Sequence, residues 1–307
     1  MPVFSNRIAF VVPTKDRPDD LRRMLTSLQA QSVHPDQVIV VDGSENPIQD
    51  VLKEFPKLNI QYSRVYPPSL ARQRNAGMAV IEPGITLAGH LDDDLVFEAG
   101  AMEAMLSFWE TAPDDVGGAR FNIITDDLPR IIWAKSLFLL ESRKRGNVLP
   151  SGYQTAIGRV TENMYVRWLS GGVTVWRRQV IQEFSYDEWF EGTGYLEDVD
   201  YSYRVGEQYK LAVVADARVE HLTYPVLRDK NYLLGKWQTI NRTYFVKKHK
   251  NLSLPLCYWS MMGELFLNFA TAFWKRDRGR LRRALGNCVG LFMVTRGRIP
   301  KIDGFFK

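Results

Sequence analysis

The chain has 307 residues, 45% hydrophobic and 24% charged, a mixture that excludes a disordered or fibrous polymer and leaves room for one large domain or two modest ones. Its two cysteines, Cys257 and Cys288, exclude a disulfide framework, and the lack of a CxxC pair removes a structural zinc site. The net charge of +5 hides a division: residues 1–230 carry 25 Lys+Arg against 32 Asp+Glu, and residues 231–307 carry 15 against 3, an acidic body followed by a basic tail.

At the N-terminus, MPVFSNRIAFVVPTKDRP holds an apolar run too short, and too soon broken by Pro13 and Lys15, for a secretory signal. A reducing, cytosolic setting is therefore expected. That run, residues 8–12, is continuous and β-branched, the pattern of a strand covered on both faces. Pro18-Asp19-Asp20 then opens a helix with Leu21, Met24, Leu25 and Leu28 at helical spacing. A second buried strand over 38–41 stops at Asp42-Gly43-Ser44, and Asn46-Pro47 starts a second helix carrying Val51, Leu52 and Phe55. Residues 59–65 alternate as a third strand, 70–81 are helical, and 85–91 form a fourth strand ending in Asp92-Asp93-Asp94. Such strand–helix–strand repeats pair in parallel through right-handed crossovers.

Beyond residue 110 the rhythm weakens. Strands are expected over 116–124, 173–176 and 211–215, a loop feeding a helix over 188–204, and a mobile, basic, glycine-containing stretch over 140–158. Residues 254–274 carry one formal charge, Glu264, and are followed by KRDRGRLRR (275–283) and a second apolar stretch over 284–294. Pro255, Ser260, Gly263, Glu264, Asn268 and Thr271 dilute the first run, which disfavours a spanning helix without excluding one. An amphipathic segment lying among anionic headgroups is expected instead. The competing reading is a helical cap on the body with solvated charges.

In open parallel sheets ligands bind where the carboxyl ends of the strands converge. Thr14 and Asp16 follow the first strand, Asp42 the second and residues 92–94 the fourth, while the helix after the third bears Arg72 and Arg74. No GxGxxG follows the first strand, which argues against a nicotinamide site. Three adjacent carboxylates raise one another's pKa and destabilise a fold unless a cation neutralises them. An oxygen-rich cluster of this kind suits Mg²⁺ or Mn²⁺. A solvated acidic turn is the competing reading of the triplet alone.

Six segments in order, VVPTKDRP, VVDGS, ARQRNAG, HLDDDLVFEAGAME, SGGVTVWRRQV and EWFEGTGYLEDVDYSYR, resemble the GT-A glycosyltransferases of family 2 over about residues 7–225. The resemblance implies an α/β fold with an open, twisted, mostly parallel, Rossmann-like sheet, helices on both faces and here a helical C-terminal extension. Residues 1–230 would be the transferase domain, with a nucleotide half over about 1–110 and an acceptor half over 111–230. Residues 231–307 would be a basic, aromatic helical segment. The resemblance further implies a nucleotide-sugar lying across the first half of the sheet. Pro13, Thr14, Asp16 and Arg17 would border the base, and Asp42 would accept from a pyrimidine N–H or a ribose hydroxyl. Arg74 would reach the pyrophosphate, Asp92 the ribose, and Asp93 the sugar or only its own turn. Asp94 would bind the metal directly and His221 would complete its coordination. Asp198 would be the general base, with Glu197 holding sugar hydroxyls or sharing that role. Gly171 and Gly172 would let backbone approach the donor, and Trp189 and Tyr195 would stack on a sugar. Arg72 reads as a surface or capping arginine. Against these roles stand ordinary ones: a turn aspartate at 42 and acids at a helix N-terminus at 197–198.

The expectation is a metal-assisted transferase that moves a sugar to a glycan or lipid-linked hydroxyl by direct displacement, with inversion at the anomeric carbon. Residues 254–301 would rest on an anionic membrane surface, on the inner face of the cell membrane. Nucleic acid is not expected as a partner, because the body is acidic and no recognition motif accompanies the basic cluster. Two rivals remain: a sugar-phosphate nucleotidyltransferase, which usually carries a glycine-rich loop where this chain has PTKDRP, and a non-catalytic membrane-surface scaffold on the same fold.

Overall fold

The computed structural model describes residues 4–129, 133–190, 194–222 and 230–299. Within them, residues 4–128 and 157–222 form one compact unit, and residue 129 with 133–156 and 230–299 forms a second. Residues 133–156, which the sequence assigned to the acceptor half, thus cluster with the C-terminal helices.

The first unit is built on β1 (Ile8–Thr14), whose seven residues are all buried. Phe10 and Val12 enter one core with α1 (Pro18–Gln29), while Ala9 and Val11 enter another core. This two-sided burial is why the run reads as continuous rather than alternating. There follow β2 (Gln37–Asp42), a single 3-10 segment (Gln49–Glu54), β3 (Ile60–Arg64), α2 (Leu70–Ala79), β4 (Leu87–Leu91), β5 (Leu95–Phe97), α3 (Ala101–Thr111) and β6 (Val116–Ile123). After the excursion into the second unit come β7 (Met164–Val166), β8 (Val173–Arg177), α5 (Arg178–Glu183), α6 (Glu197–Val205) and β9 (Lys210–His221). The second unit contains α4 (Trp133–Leu137), α7 (Asn231–Lys248), α8 (Leu254–Lys275) and α9 (Arg278–Thr295).

Among the described residues nine strands form one sheet in the order β3-β2-β1-β4-β8-β6-β9-β5, with β7 on β9. The first four pair in parallel as expected. Beyond β4 the sheet is mixed: β8 runs antiparallel to both β4 and β6, and β5 and β7 run antiparallel to β9. This arrangement positions the site. Thr14 aligns with Asp42, and Leu91 with Val173, so the residues after β4 meet those before β8. Leu95 aligns with His221, which brings the end of β9 beside the acidic turn.

Three expectations need correction. The second helix is only a 3-10 segment, because Pro56 follows Phe55 closely and disfavours further helix. The last strand extends to 12 residues because after Ala215 it alternates exposed and buried positions, a pattern outside the apolar run that the sequence revealed. The stretch over 140–158 is no mobile linker. Its core is a tight turn with Leu149 N–H bonded to the Tyr153 carbonyl (2.8 Å), Thr155 N–H bonded to that of Asn147 (2.8 Å), and Ser151 and Thr155 fully buried.

In the second unit α7 and α9 meet closely. A methyl group on Gly286 would strike the Tyr232 carbonyl, and one on Gly235 that of Arg283. Asn287 donates to the Gly235 carbonyl (3.0 Å), and Asn268 donates to Asn287 (2.9 Å). Among the described residues, no helix is long and apolar enough to cross a membrane.

Candidate active site

The acidic turn after β4 sends its three carboxylates in different directions. Asp93 points inward and is buried; it accepts from Thr14 Oγ1 (2.7 Å) and lies 3.4 Å from Arg17 Nη1. Burial, aided by Asp94 and Asp92, pushes its pKa up to about 7 against the pull of Thr14 and Arg17. Asp94 Oδ2 meets the same Arg17 nitrogen at 3.4 Å. Its other oxygen faces His221 Nε2 at 3.0 Å, yet Asp94 Oδ1 is buried without a hydrogen-bond partner. With the imidazole protonated the two atoms form an ion pair; with it neutral they converge as ligands of a third atom would. Ligand atoms of Asp92, Asp94 and His221 all lie within 4.8 Å of one another. This oxygen-and-imidazole set fits a divalent ion such as Mn²⁺. The Asp94 contact also raises the His221 pKa, against desolvation.

Arg74, 2% exposed, is the buried cation of the site. Its Nη1 donates to Glu197 Oε1 at 2.9 Å, and its Nη2 lies 3.5 Å from Asp92 Oδ1. The Tyr186 ring faces the guanidinium, 5.1 Å from centroid to Cζ. One guanidinium does not neutralise Asp92, Glu197 and Asp198 together. Desolvation therefore prevails at Glu197, whose pKa rises to about 8 despite the ion pair. Asp198 is also raised by burial, against Arg74 and two backbone donors. Those donors are Gly171 N–H to Oδ2 (3.1 Å) and Val199 N–H to Oδ1 (2.7 Å). Glu197 is buried, whereas Asp198 keeps partial exposure. Leu196 at φ +77° turns the chain into α6 and sets both acids on its first turn.

The Ser170-Gly171-Gly172 segment makes these approaches possible. A methyl group at Gly171 would overlap the Arg74 guanidinium, and one at Gly172 the Asp92 carboxylate. Asp92 N–H also bonds to the Gly172 carbonyl at 2.7 Å.

Other sequence candidates fall differently. Asp42 is buried, and its oxygens accept from Ser44 N–H (2.8 Å), Ile48 N–H (3.0 Å) and Tyr62 OH (2.7 Å). These three donors fix the turn after β2. Pro13 is buried inside β1, and Asp93 is turned toward Thr14. Asp16 is exposed at the rim with φ +53°, its N–H bonded to Ser44 Oγ (2.8 Å), and Arg17 stays partly open. Arg72 is partly exposed on α2. Trp189 and Tyr195 are both partly exposed, with Trp189 edge-on to Phe190. Residues 191–193 of their motif, and 223–225 after His221, lie outside the described residues.

The sequence reading missed His90 and Tyr186. His90 is buried on β4, its Nδ1 3.4 Å from Tyr186 OH, and burial together with Arg74 drives its pKa well down. It stays neutral beneath the guanidinium. A polar residue inside the otherwise apolar fourth strand was the available signal for His90; Tyr186 had none.

The family model of glycosyl transferase family 2 matches residues 9–162. No curated protein matches the chain in sequence. Among solved structures, the chain is similar to residues 1–349 of S. aureus TarS at 17% identity, covering 88% of this chain and 73% of that one, with a TM-score of 0.51. It is similar to GalNAc-T7 with UDP, GalNAc and Mn²⁺ at 14% identity, covering 84% of this chain and 54% of that one, with a TM-score of 0.55. It is also similar to the mannosyltransferase PcManGT from Pyrobaculum calidifontis in complex with GDP-Man and Mn²⁺ at 11% identity, covering 95% and 91%, with a TM-score of 0.57. These likenesses establish the GT-A fold.

Two outcomes are expected. Gly172→Ala, by displacing Asp92, lowers Mn²⁺ affinity about 10–100-fold in calorimetric titration while thermal unfolding stays close to that of the parent. For Glu197, the folded-state pKa lies above its ordinary 4.5, so the native state holds the proton longer and stability falls as pH rises from about 4.5 to about 8. Glu197→Gln, which keeps an acceptor for Arg74, flattens that slope in chelator-treated protein and makes it about 1–2 kcal/mol more stable at pH 8. An unchanged slope contradicts the assignment.

Proposed function

The chain belongs to glycosyl transferase family 2, and from that membership we propose that it transfers a sugar from a nucleotide-sugar to a glycan or lipid-linked hydroxyl, with inversion and with Asp198 as general base. The observation that carries this reading is the convergence at one rim of Asp92, Asp94 and His221 with the Arg74–Glu197 pair and Asp198.

Asp92, Asp94 and His221 would hold Mg²⁺ or Mn²⁺. When bound there, the ion would neutralise the charge that builds on the departing nucleoside diphosphate. Asp92 is thereby proposed as a metal ligand rather than a ribose contact. Arg74 stays charged at all working pH values and offers a guanidinium fork to the diphosphate. Its partners Glu197 and Tyr186 hold it in place. Thr14, Asp16 and Arg17 border the nucleotide at the end of β1.

Asp198 suits the acceptor side better than Glu197. Glu197 is 3% exposed and committed to Arg74. Asp198 is reachable, is aimed by two backbone N–H groups, and has a pKa raised by burial, which increases its affinity for a proton. It would take the acceptor hydroxyl proton as that oxygen bonds the anomeric carbon. The carbon–oxygen bond to the diphosphate breaks at the same time, and the leaving diphosphate keeps the electron pair. A single displacement of this kind inverts the centre.

A panel of nucleotide-sugars assayed for nucleoside diphosphate release tests the reading. Chelator abolishes release and Mn²⁺ restores it. Asp198→Asn lowers kcat about 10³-fold with little change in the donor KM, and Asp94→Asn raises the Mn²⁺ requirement. Pyrophosphate release would identify a nucleotidyltransferase instead. Equal turnover with and without chelator overturns the metal assignment.

A further inference from the structure

Helix α8 has its side chains arranged inside out. Cys257, Ser260, Met261, Gly263, Asn268 and Ala272, mostly small or polar, are buried in its own unit. Trp259, Met262, Phe266, Phe269 and Phe273 are exposed. The exposed five repeat at intervals of three and four, so they form one straight stripe about 21 Å long. Phe273 and Trp274, each 88% exposed, end the stripe. Trp133 and Leu137 of α4 add to the exposed apolar surface of the unit, and Trp259 Nε1 bonds to the Leu137 carbonyl at 3.0 Å. A water-facing helix keeps large apolar side chains off its outer face; this one displays five of them there.

Directly after the aromatic tip come Lys275, Arg276, Arg278 and Arg282, all exposed. Asp277, the one acid in 275–283, is engaged as the cap of α9, accepting from Arg280 N–H at 3.1 Å. Aromatic rings at one depth with ammonium and guanidinium groups beside them match the boundary between acyl chains and phosphate headgroups. A second copy of the chain matches less well. Each copy carries 15 Lys+Arg against 3 Asp+Glu over 231–307, and pairing the stripes would bring like charge together. Because no described helix can span, the surface would lie along a membrane.

We propose that the α8 stripe, its aromatic tip and the adjoining cations dock this unit in the plane of an anionic phospholipid bilayer. The segment extends the sequence-based range of 254–301 to α4, although residues 300–301 lie outside the described set. The proposal rests on surface chemistry and stands apart from the catalytic reading.

Co-sedimentation of the full chain with vesicles of phosphatidylcholine, alone or mixed with phosphatidylglycerol, tests it. The protein is expected to bind the mixed vesicles about tenfold or more tightly than pure phosphatidylcholine, and to lose that preference at high salt. Arg278→Glu with Arg282→Glu removes the preference. Phe273→Ser with Trp274→Ser weakens binding at every salt concentration. Circular dichroism and nucleoside diphosphate release into water stay at parental levels in both variants, which separates failed docking from failed folding or failed catalysis. Absence of binding, or equal binding to both vesicles, overturns the proposal. A lipid-free dimer that dissociates on Phe273→Ser with Trp274→Ser overturns it in favour of a second copy. Equal competition by duplex DNA overturns it in favour of a nucleic acid surface.

Discussion

Five carboxyl groups, Asp92, Asp93, Asp94, Glu197 and Asp198, share one rim of the sheet with two guanidinium groups, Arg17 and Arg74. The excess of negative charge is costly because much of it is out of water. The fold meets the cost partly by protonation, with Asp93 near 7 and Glu197 near 8, and partly by directing backbone N–H groups at Asp198. Asp94 shares Arg17 with Asp93 and faces His221 Nε2 at 3.0 Å, with Asp92 close by. An excess of carboxylate over guanidinium at one rim is the setting in which the proposed divalent cation would be held.

The cluster depends on a change of strand direction. Had the sheet stayed parallel beyond β4, the residues before β8 would sit at the opposite edge from the acidic turn. The antiparallel β8 returns Ser170-Gly171-Gly172 to the rim, and the two glycines leave room for Arg74 and Asp92. The antiparallel β5–β9 pair does the same for His221, whose neighbour Leu222 N–H bonds to the Asp94 carbonyl at 2.9 Å. Backbone register places the groups, and burial then sets their protonation.

This division explains what was legible in the sequence. The strand ends, the acidic triplet and the glycine pair were readable because each is a local pattern whose chemistry is visible in a few residues. Arg74 and Glu197 are 123 positions apart, and no local signal says that they pair. Asp42 shows the opposite difficulty: Asp-Gly-Ser after a strand reads equally as a ligand contact and as an ordinary turn, and one of the three donors to its carboxylate, Tyr62, lies 20 positions away. The composition of α8 was readable as apolar, but the direction of its aromatic face was not, since helical spacing alone does not say which stripe is inward.

That direction follows from buried amides. Asn268 and Asn287 bond to each other, Asn287 reaches the Gly235 carbonyl, and Arg280 donates to Asn268 at 3.0 Å. Turning α8 to bury its phenylalanines would take Asn268 away from Asn287 and Arg280, at about 1–3 kcal/mol for each group left unsatisfied. It would also put a side chain where Gly263 leaves room for the Phe138 ring. Apolar burial in water favours the turned arrangement by a comparable amount per ring, so water alone gives the observed orientation little advantage. An environment that takes up the rings while leaving the amides paired removes that competition, and only in such an environment do the inner and outer faces of α8 favour the same orientation.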